Sequence, residues 1–130
     1  MAKLDAVGIV VTDLARAVKL YRLLGAPFED GTEDSEHGHA EATLDGGVRL
    51  MLDTEEEIKK FDPSWQRYVG PPAGALAFNC GTPKAVDELY AKAIAAGARS
   101  HKEPFDAFWG QRYAQVRDHD GNGIDLYASL

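Results

Sequence analysis

The segment Trp109–Tyr127, with the sequence WGQRYAQVRDHDGNGIDLY, is the most informative part of this chain. It contains two alternating strand patterns, Trp109–Arg117 and Gly123–Tyr127, separated by the turn sequence DHDGN at 118–122. Glycine and asparagine tolerate the positive φ angles of tight turns, and aspartate side chains bond to nearby backbone N–H groups. The segment therefore predicts a β-hairpin at the end of a sheet.

The same layout occurs once earlier in the chain, where Gly38–Leu44 and Val48–Leu52 flank the turn sequence DGG at 45–47. Each hairpin follows a strand, a helix and a short strand, as judged from period-2 and helical spacing with capping residues. In the first half these are Leu4–Val11, a helix from Thr12 or Asp13 to about Leu24, and Ala26–Asp30. In the second half they are Gly74–Cys80, a helix from Thr82-Pro83 to about Ala96, and Ala98–Lys102. The chain is predicted to be an internal duplication of β-α-β-β-β.

The duplication predicts one domain over residues 1–130, with modules at 1–53 and 74–130 joined by a linker at 54–73. The acidic start of the linker, Glu55–Glu57, favours a short helix because carboxylates stabilise a helix N-terminus. Proline and glycine end regular structure after it. Trp65 lies inside the linker, where so large an aromatic side chain is expected to cover core, pocket or partner.

The composition excludes several classes of function. A net charge of -7 argues against nucleic acid, whose phosphates need a basic surface. No apolar run approaches the ~20 residues of a membrane span, and no signal-peptide core is visible, so a cytoplasmic location is expected. The single cysteine, Cys80, allows neither an internal disulfide nor a multi-cysteine metal site, and its apolar strand pattern predicts a buried, inert thiol.

Two motifs carry a resemblance to a known family: VVTDL at 10–14 and DHDGNGIDL at 118–126. With the duplicated layout, they resemble the vicinal oxygen chelate superfamily of glyoxalases, extradiol dioxygenases and bleomycin-resistance proteins. The closing signature of that family usually reads D-P-D-G-N-x-I-E-L, so His119 here replaces proline and Asp125 replaces glutamate. The resemblance implies an α+β fold in which two βαβββ modules form a cup-shaped, curved mixed sheet with helices outside.

Strand alternation assigns side chains to the two faces of this expected sheet. The face toward the helices is predicted to carry Val7, Ile9, Val11, Leu76, Phe78, Ile124 and Leu126. The face that lines the cup is predicted to carry Ala6, Gly8, Met51, Ala75, Ala77, Asn79, Asp125 and Tyr127. Small residues on a concave face leave volume for a ligand.

Enzymes of the family hold a divalent ion with four side chains, one from the first and one from the last strand of each module. Matched by position, the first-strand residues here are Ala6 and Ala75, and the last-strand residues are Met51 (or Leu50, depending on turn length) and Asp125. Only Asp125 can bind a metal, and such sites need about three protein ligands. The sequence therefore predicts no metal cofactor.

A relocated metal site is the alternative. His37 and His39 are two residues apart at a turn, and His39, Glu41 and Asp125 would form a site for Zn, Ni, Mn or Fe if they met across the cup. The chain would then be a glyoxalase-like lyase or isomerase, or an extradiol-type dioxygenase. His101 and His119 are expected at the surface. Asp125 is expected to bond an arginine or tyrosine, to anchor a cationic group, or to act as a general base if burial raises its pKa.

The leading hypothesis is a metal-free binding protein that sequesters a partly aromatic or cationic small molecule, as bleomycin-type antibiotic-resistance proteins of this family do. No catalytic residue is assigned, and an interaction or regulatory module is the remaining alternative. Unpaired sheet edges and the resemblance favour a homodimer. The expected ligand-binding residues supply aromatic, thioether and polar groups: Met51, Trp65, Asn79, Phe108, Trp109, Tyr113, Asp125 and Tyr127.

Overall fold

The computed structural model describes all 130 residues, Met1–Leu130, and divides into two compact units, Met1–Tyr68 and Val69–Leu130. The first unit contains β1 (Ala6–Val11), α1 (Leu14–Leu23), β2 (His39–Thr43), β3 (Arg49–Thr54) and α2 (Glu55–Phe61). The second contains β4 (Ala75–Asn79), α3 (Pro83–Ala95), β5 (Arg99–Ala107), β6 (Gln111–Arg117) and β7 (Gly123–Ser129). The predicted α+β class is confirmed. None of the helices has the length and apolar character needed to span a membrane.

The first unit is a mixed three-stranded sheet in the order β1-β3-β2, in which β1 runs parallel to β3 and β2 antiparallel to it. Helix α1 begins after Asp13, whose side chain accepts a hydrogen bond from the backbone N–H of Arg16 at 3.0 Å. Its apolar stripe packs on β2 and β3, where Leu50 and Leu52 are fully buried. Burying this stripe supplies the main stabilisation of the unit.

The prediction of a strand at Ala26–Asp30 is wrong. Ala26 and Phe28 are buried, but the backbone carbonyls of Phe28 and Glu29 accept hydrogen bonds from the Arg22 guanidinium at 3.2 and 2.8 Å. Arg22 also forms an ion pair with Glu33 at 2.6 Å, beside a 3-10 turn at Thr32–Asp34. An arginine on α1 therefore satisfies the carbonyls that a neighbouring strand would have bonded, and the first unit lacks this strand.

The predicted linker divides between the two units. Its predicted short helix is α2, capped by the Thr54 hydroxyl, and α2 packs on β1 and β3 of the first unit. The second unit begins at Val69, before the Gly70–Pro72 segment. The residues after α2 therefore supply most of the connection, and Trp65 lies on the first-unit side, where its ring stacks with the Arg67 guanidinium at 5.6 Å.

The second unit is a mixed four-stranded sheet in the order β4-β7-β6-β5, with β4 parallel to β7 and the other pairs antiparallel. Helix α3 begins after Thr82, with Pro83 in its first turn as predicted. Val86 and Ala93 of α3 are fully buried, whereas Ile94 is 36% exposed. The sheet residues on the helix side include the fully buried Ala114, Ile124, Leu126 and Ala128.

Three local expectations in the second unit need correction. Strand β5 extends to Ala107 instead of ending near Lys102, because register shifts after Ser100 and Lys102 let this edge strand continue past Pro104. The strand predicted to start at Trp109 starts at Gln111, because a turn with Gly110 at φ 90° precedes it. Cys80 is half-buried instead of buried, although burial raises the pKa of its thiol as expected for an inert cysteine.

The turn between β6 and β7 is organised by Asp118, which is 2% exposed. Its carboxylate accepts hydrogen bonds from the backbone N–H groups of Asp120 and Asn122, both at 2.9 Å, and from the Asn122 side-chain amide at 2.8 Å. Gly121 has φ 88°, as the turn sequence predicts. One buried carboxylate thus closes the hairpin and sets the register of β6 and β7.

Replacing Asp118 by alanine is expected to lower the free energy of unfolding by about 1–3 kcal/mol, because three donors lose their acceptor in a buried position. Urea denaturation followed by circular dichroism measures the effect. Asp45→Ala, at an exposed position in the other hairpin turn, is the matched control and is expected to change stability by less than about 0.5 kcal/mol. Equal effects of the two substitutions would contradict this role for Asp118.

Candidate functional site

The registers of the two sheets establish which positions of the two units are equivalent. Gly8 on β1 is paired with Met51 on β3, and Ala77 on β4 is paired with Asp125 on β7. Gly8 and Ala77 each lie five residues before the residue that caps the following helix. Met51 is therefore the counterpart of Asp125. Leu50, the other possibility, is fully buried on the face toward α1.

The four positions that hold a metal ion in family enzymes carry residues in this chain that do not suit a metal ion. Ala6 and Ala75 carry methyl groups, and Met51 offers a thioether, which suits soft ions better than the oxygen- and nitrogen-preferring divalent ions. Only Asp125 is an ionisable ligand, and both of its carboxylate oxygens are hydrogen-bonded to other side chains. One carboxylate and one thioether do not make a site for a catalytic divalent cation.

Asp125 lies at the centre of the open face of the second sheet, opposite the face that α3 covers. The Tyr113 hydroxyl donates a hydrogen bond to its Oδ2, and the Gln115 amide donates one to its Oδ1 at 3.2 Å. The expectation that Asp125 bonds a tyrosine or arginine is thus met by Tyr113. Burial and the Asp125 carboxylate raise the pKa of Tyr113 to about 12, so the phenol remains a donor at neutral pH.

Aromatic rings continue from this carboxylate toward the β5–β6 turn. Tyr127 stacks on Tyr113 with ring centroids 6.2 Å apart, and Trp109 meets Tyr113 edge-on at 5.3 Å. Phe105 and Phe108 make further edge contacts with Trp109 at 6.3 and 5.0 Å. These five residues form one aromatic cluster, in which Phe108 is 97% exposed and Trp109 is 49% exposed. The cluster offers flat apolar surface beside a negative charge.

A cavity of about 390 Å³ opens beside Asp125 within the second unit. One part of its lining is the apolar and backbone surface of segment 71–75, where Ala75 leaves space because its side chain is small. The polar part of its lining consists of His101, Gln115, Arg117 and Asp125.

The expected ligand-binding residues divide between the two units. The second unit brings Phe108, Trp109, Tyr113, Asp125 and Tyr127 together. Asn79 lies at the end of β4, beside Tyr127 in register, and its side chain bonds the N–H of Gly81 at 3.0 Å. Met51 and Trp65 belong to the first unit.

Three polar residues of the cavity, His101, Gln115 and Arg117, are absent from the set expected from the sequence. Strand alternation places Gln115 and Arg117 on the same face as Tyr113, but the sequence could not show which face of β6 is the open one. His101 was expected at the surface, and it is exposed, but a register shift in β5 brings it beside Arg117.

The open face of the first sheet carries an ionic network instead of aromatic rings. His39 bonds Asp53 through Nδ1 at 2.5 Å and Glu41 through Nε2 at 3.1 Å. Arg49 bridges Glu41 at 3.0 Å and Asp5 at 2.6 Å. The two carboxylates raise the pKa of His39, with Asp53 the largest cause. A ring that bonds carboxylates through both nitrogens is held as imidazolium.

The alternative metal set combines His39 and Glu41 of the first unit with Asp125 of the second. Each of the three already has hydrogen-bond partners within its own unit. No group of three or more histidine, cysteine, aspartate or glutamate residues is arranged so that it could hold a metal ion. The alternative remains a prediction for metal analysis.

The family model of the Glyoxalase/Bleomycin resistance protein/Dioxygenase superfamily matches residues 3–126. The chain belongs to this superfamily. The resemblance seen in the turn and strand motifs is thereby confirmed. A search of curated proteins returns no match.

Several solved structures share the fold at low sequence identity. A glyoxalase/bleomycin resistance protein/dioxygenase family enzyme from Burkholderia phytofirmans PsJN is 22% identical, with a TM-score of 0.82 and coverage of 99% of this chain and 100% of that one. A glyoxalase-related enzyme from Fulvimarina pelagi is 17% identical, with a TM-score of 0.82 and coverage of 99% and 89%. A hypothetical protein from S. aureus is 18% identical, with a TM-score of 0.79 and coverage of 98% and 94%. At these identities the likeness concerns the fold.

His39 is expected to make stability depend on pH. Its folded-state pKa is raised above the ordinary value of 6.5, chiefly by Asp53. The stabilisation that protonated His39 gives the folded state is therefore complete below pH 6.5 and is lost as pH rises through the folded-state pKa. Asp53→Asn is expected to lower the His39 pKa measured by NMR titration, and to reduce the free energy of unfolding more at acidic than at alkaline pH.

The control for this measurement is Asp62→Asn, which alters a carboxylate in the same unit that does not contact His39. It is expected to leave the His39 titration unchanged. A His39 pKa that is the same in the wild type and in Asp53→Asn would contradict the assigned pair.

Proposed function

We propose that this protein is a metal-free binding protein for a small, partly aromatic molecule, and that the second unit supplies the ligand site. The observation that carries the proposal is the cavity of about 390 Å³, which has the Asp125 carboxylate in its lining. The stacked rings of Tyr113 and Tyr127 lie next to that carboxylate. Ligand pockets commonly have volumes of roughly 300–1,000 Å³ and apolar walls with a few placed polar groups.

The aromatic cluster suits a flat ligand. Tyr127 is half-buried and stacks on Tyr113, so an aromatic ligand can extend the stack without ordering a mobile side chain. Stacked and edge-on ring pairs each contribute about 0.5–1.5 kcal/mol beyond their burial of apolar area. A ligand that covered the exposed rings of Phe108 and Trp109 would also remove apolar surface from water.

The bonding of Asp125 suits this residue to anchor a ligand group. Tyr113 and Gln115 each donate to one carboxylate oxygen, which fixes the position of the carboxylate and leaves further lone pairs for a ligand N–H. An Asp125 held in this way is a fixed negative charge that orients a cationic or hydrogen-bond-donating group.

NMR titration of the ¹⁵N-labelled protein with benzamidine and with benzyl alcohol tests the site. Tyr127→Leu is expected to weaken binding of both compounds about two- to tenfold, because the stacking partner is lost. Tyr68→Leu, which removes a 70%-exposed tyrosine of the first unit, is the control and is expected to leave both affinities unchanged. Absence of saturable shifts on β6 and β7 with either compound would overturn the proposal.

Elemental analysis of the purified protein separates this proposal from the metal-dependent alternative. About one Zn, Ni, Mn or Fe per chain, with a lower melting temperature in EDTA, would favour a glyoxalase-like lyase or isomerase or an extradiol-type dioxygenase. It would assign a role to His39, Glu41 and Asp125 as ligands. Substoichiometric metal and an unchanged melting temperature are the outcomes expected for a metal-free protein.

We also propose that the chain acts in the cytoplasm as a homodimer. Strand β5 forms an unpaired edge of the second sheet, and the apolar side chains of Val69 and Phe108 are 89% and 97% exposed. A second copy that covered such groups would remove them from water. Light scattering coupled to size-exclusion chromatography is expected to give twice the chain mass of 14.1 kDa, and a monomer mass would refute the dimer.

A further inference from the structure

We propose that the cavity of the second unit binds an oxyanion, the carboxylate or phosphate group of its ligand, through Arg117 with support from His101. The inference rests on the proposed function in that it names the chemical group the ligand carries at this end of the cavity. It adds a negatively charged group to the partly aromatic or cationic ligand that the sequence predicts.

The first observation is an unsatisfied donor. The Nε of Arg117 is buried and has no hydrogen-bond partner. A buried donor without an acceptor costs roughly 1–3 kcal/mol, and more when the group is charged. Arg117 also lines the cavity, and an acceptor atom that reached Nε from there would recover this cost. The guanidinium presents donors in a planar fork that matches carboxylate and phosphate oxygens.

The second observation is the hydrogen bond between Arg117 and His101. The Nη2 of Arg117 lies 3.2 Å from Nδ1 of His101. Arginine has donors and no acceptor, so Nδ1 must be the acceptor and carries no proton. The proton of the neutral imidazole is then on Nε2, which makes that atom a further donor. His101 lines the same cavity, so two side chains there present N–H groups.

The third observation is a pair of like charges. Arg99 on β5 is directly opposite Arg117 on β6, and neither guanidinium takes part in an ion pair with a carboxylate. Like charges at directly opposite positions destabilise a pair of strands. An anion beside Arg117 offsets this repulsion. Such a concentration of positive charge is unusual in a chain whose net charge is -7.

The carboxylate of Asp125 does not neutralise the Arg117 guanidinium at the other end of the cavity. Its two oxygens are bonded to Tyr113 and Gln115, and it forms no ion pair with Arg117. In the β6–β7 pairing, Asp125 is opposite Gln115, whereas Arg117 is opposite Gly123, two residues further toward the turn. The cavity therefore has a positive end and a negative end, and the ligand oxyanion belongs at the positive one.

The test uses the full chain, ¹⁵N-labelled, with three probes: inorganic phosphate, benzoate and its neutral isostere benzamide. The side-chain Nε–H signal of Arg117 is expected to shift saturably with phosphate and with benzoate. Benzoate is expected to bind about tenfold more tightly than benzamide, since a hydrogen bond to a charged group has about that effect. The wild-type measurement needs no substitution and so stands even if a variant folds poorly.

Arg117→Gln is expected to weaken phosphate and benzoate binding about tenfold and to change benzamide binding less than about twofold. Arg112→Gln is the matched control, because Arg112 lies on the same strand but bonds Asp87 and Asp106 outside the cavity. It is expected to leave all three affinities unchanged. Melting curves establish that both variants fold.

Each outcome separates the oxyanion site from the proposed aromatic site. Equal binding of benzoate and benzamide, with no shift at Arg117, would overturn the oxyanion site and leave the aromatic site supported. A phosphate response that is lost in Arg117→Gln, without binding of either aromatic probe, would support the oxyanion site and overturn the aromatic one. Equal losses in Arg117→Gln and Arg112→Gln would also overturn the oxyanion site.

Discussion

The hydrogen bonds of the buried Asp118 carboxylate are the constraint on which the second unit depends. They close the turn between β6 and β7 and so fix which residues of the two strands face each other. A shift of β7 by one residue would place Asp125 on the helix side of the sheet and the buried Leu126 on the open side. The pairing of Gln115 with Asp125, and the position of Arg117 beside the cavity, follow from that register.

Internal duplication gave the two units the same strand pairing, but their open faces have diverged. The pair of His39 and Asp53 in the first sheet is at the position equivalent to the pair of Tyr113 and Tyr127 in the second sheet. One face is thus an ionic network with a raised histidine pKa, and the other is an aromatic cluster around one carboxylate. The shared pairing of three strands tolerates these exchanges, because the side chains point away from the packed helix face. A shared fold therefore carries little information about chemistry.

The second unit combines features that suit recognition of a small molecule. Alanine at positions 75 and 77 leaves space beside β7, and the ring of Tyr127 supplies a surface for stacking. The cavity also has charges of opposite sign, from Arg117 and Asp125. A molecule with a ring and an oxyanion would use all of these features, whereas the alanines and Met51 at the family's metal positions offer a divalent cation almost no ligands.

The sequence alone determined the fold class, the duplication and the family, because turn chemistry, capping and hydrophobic alternation are local signals. It also placed Tyr113, Gln115 and Arg117 on one face of a strand. Only the tertiary structure decided that this face is open, that His101 reaches Arg117 through an irregular edge strand, and that Arg22 replaces a predicted strand. These features depend on contacts between residues distant along the chain, whose register and direction no local pattern encodes.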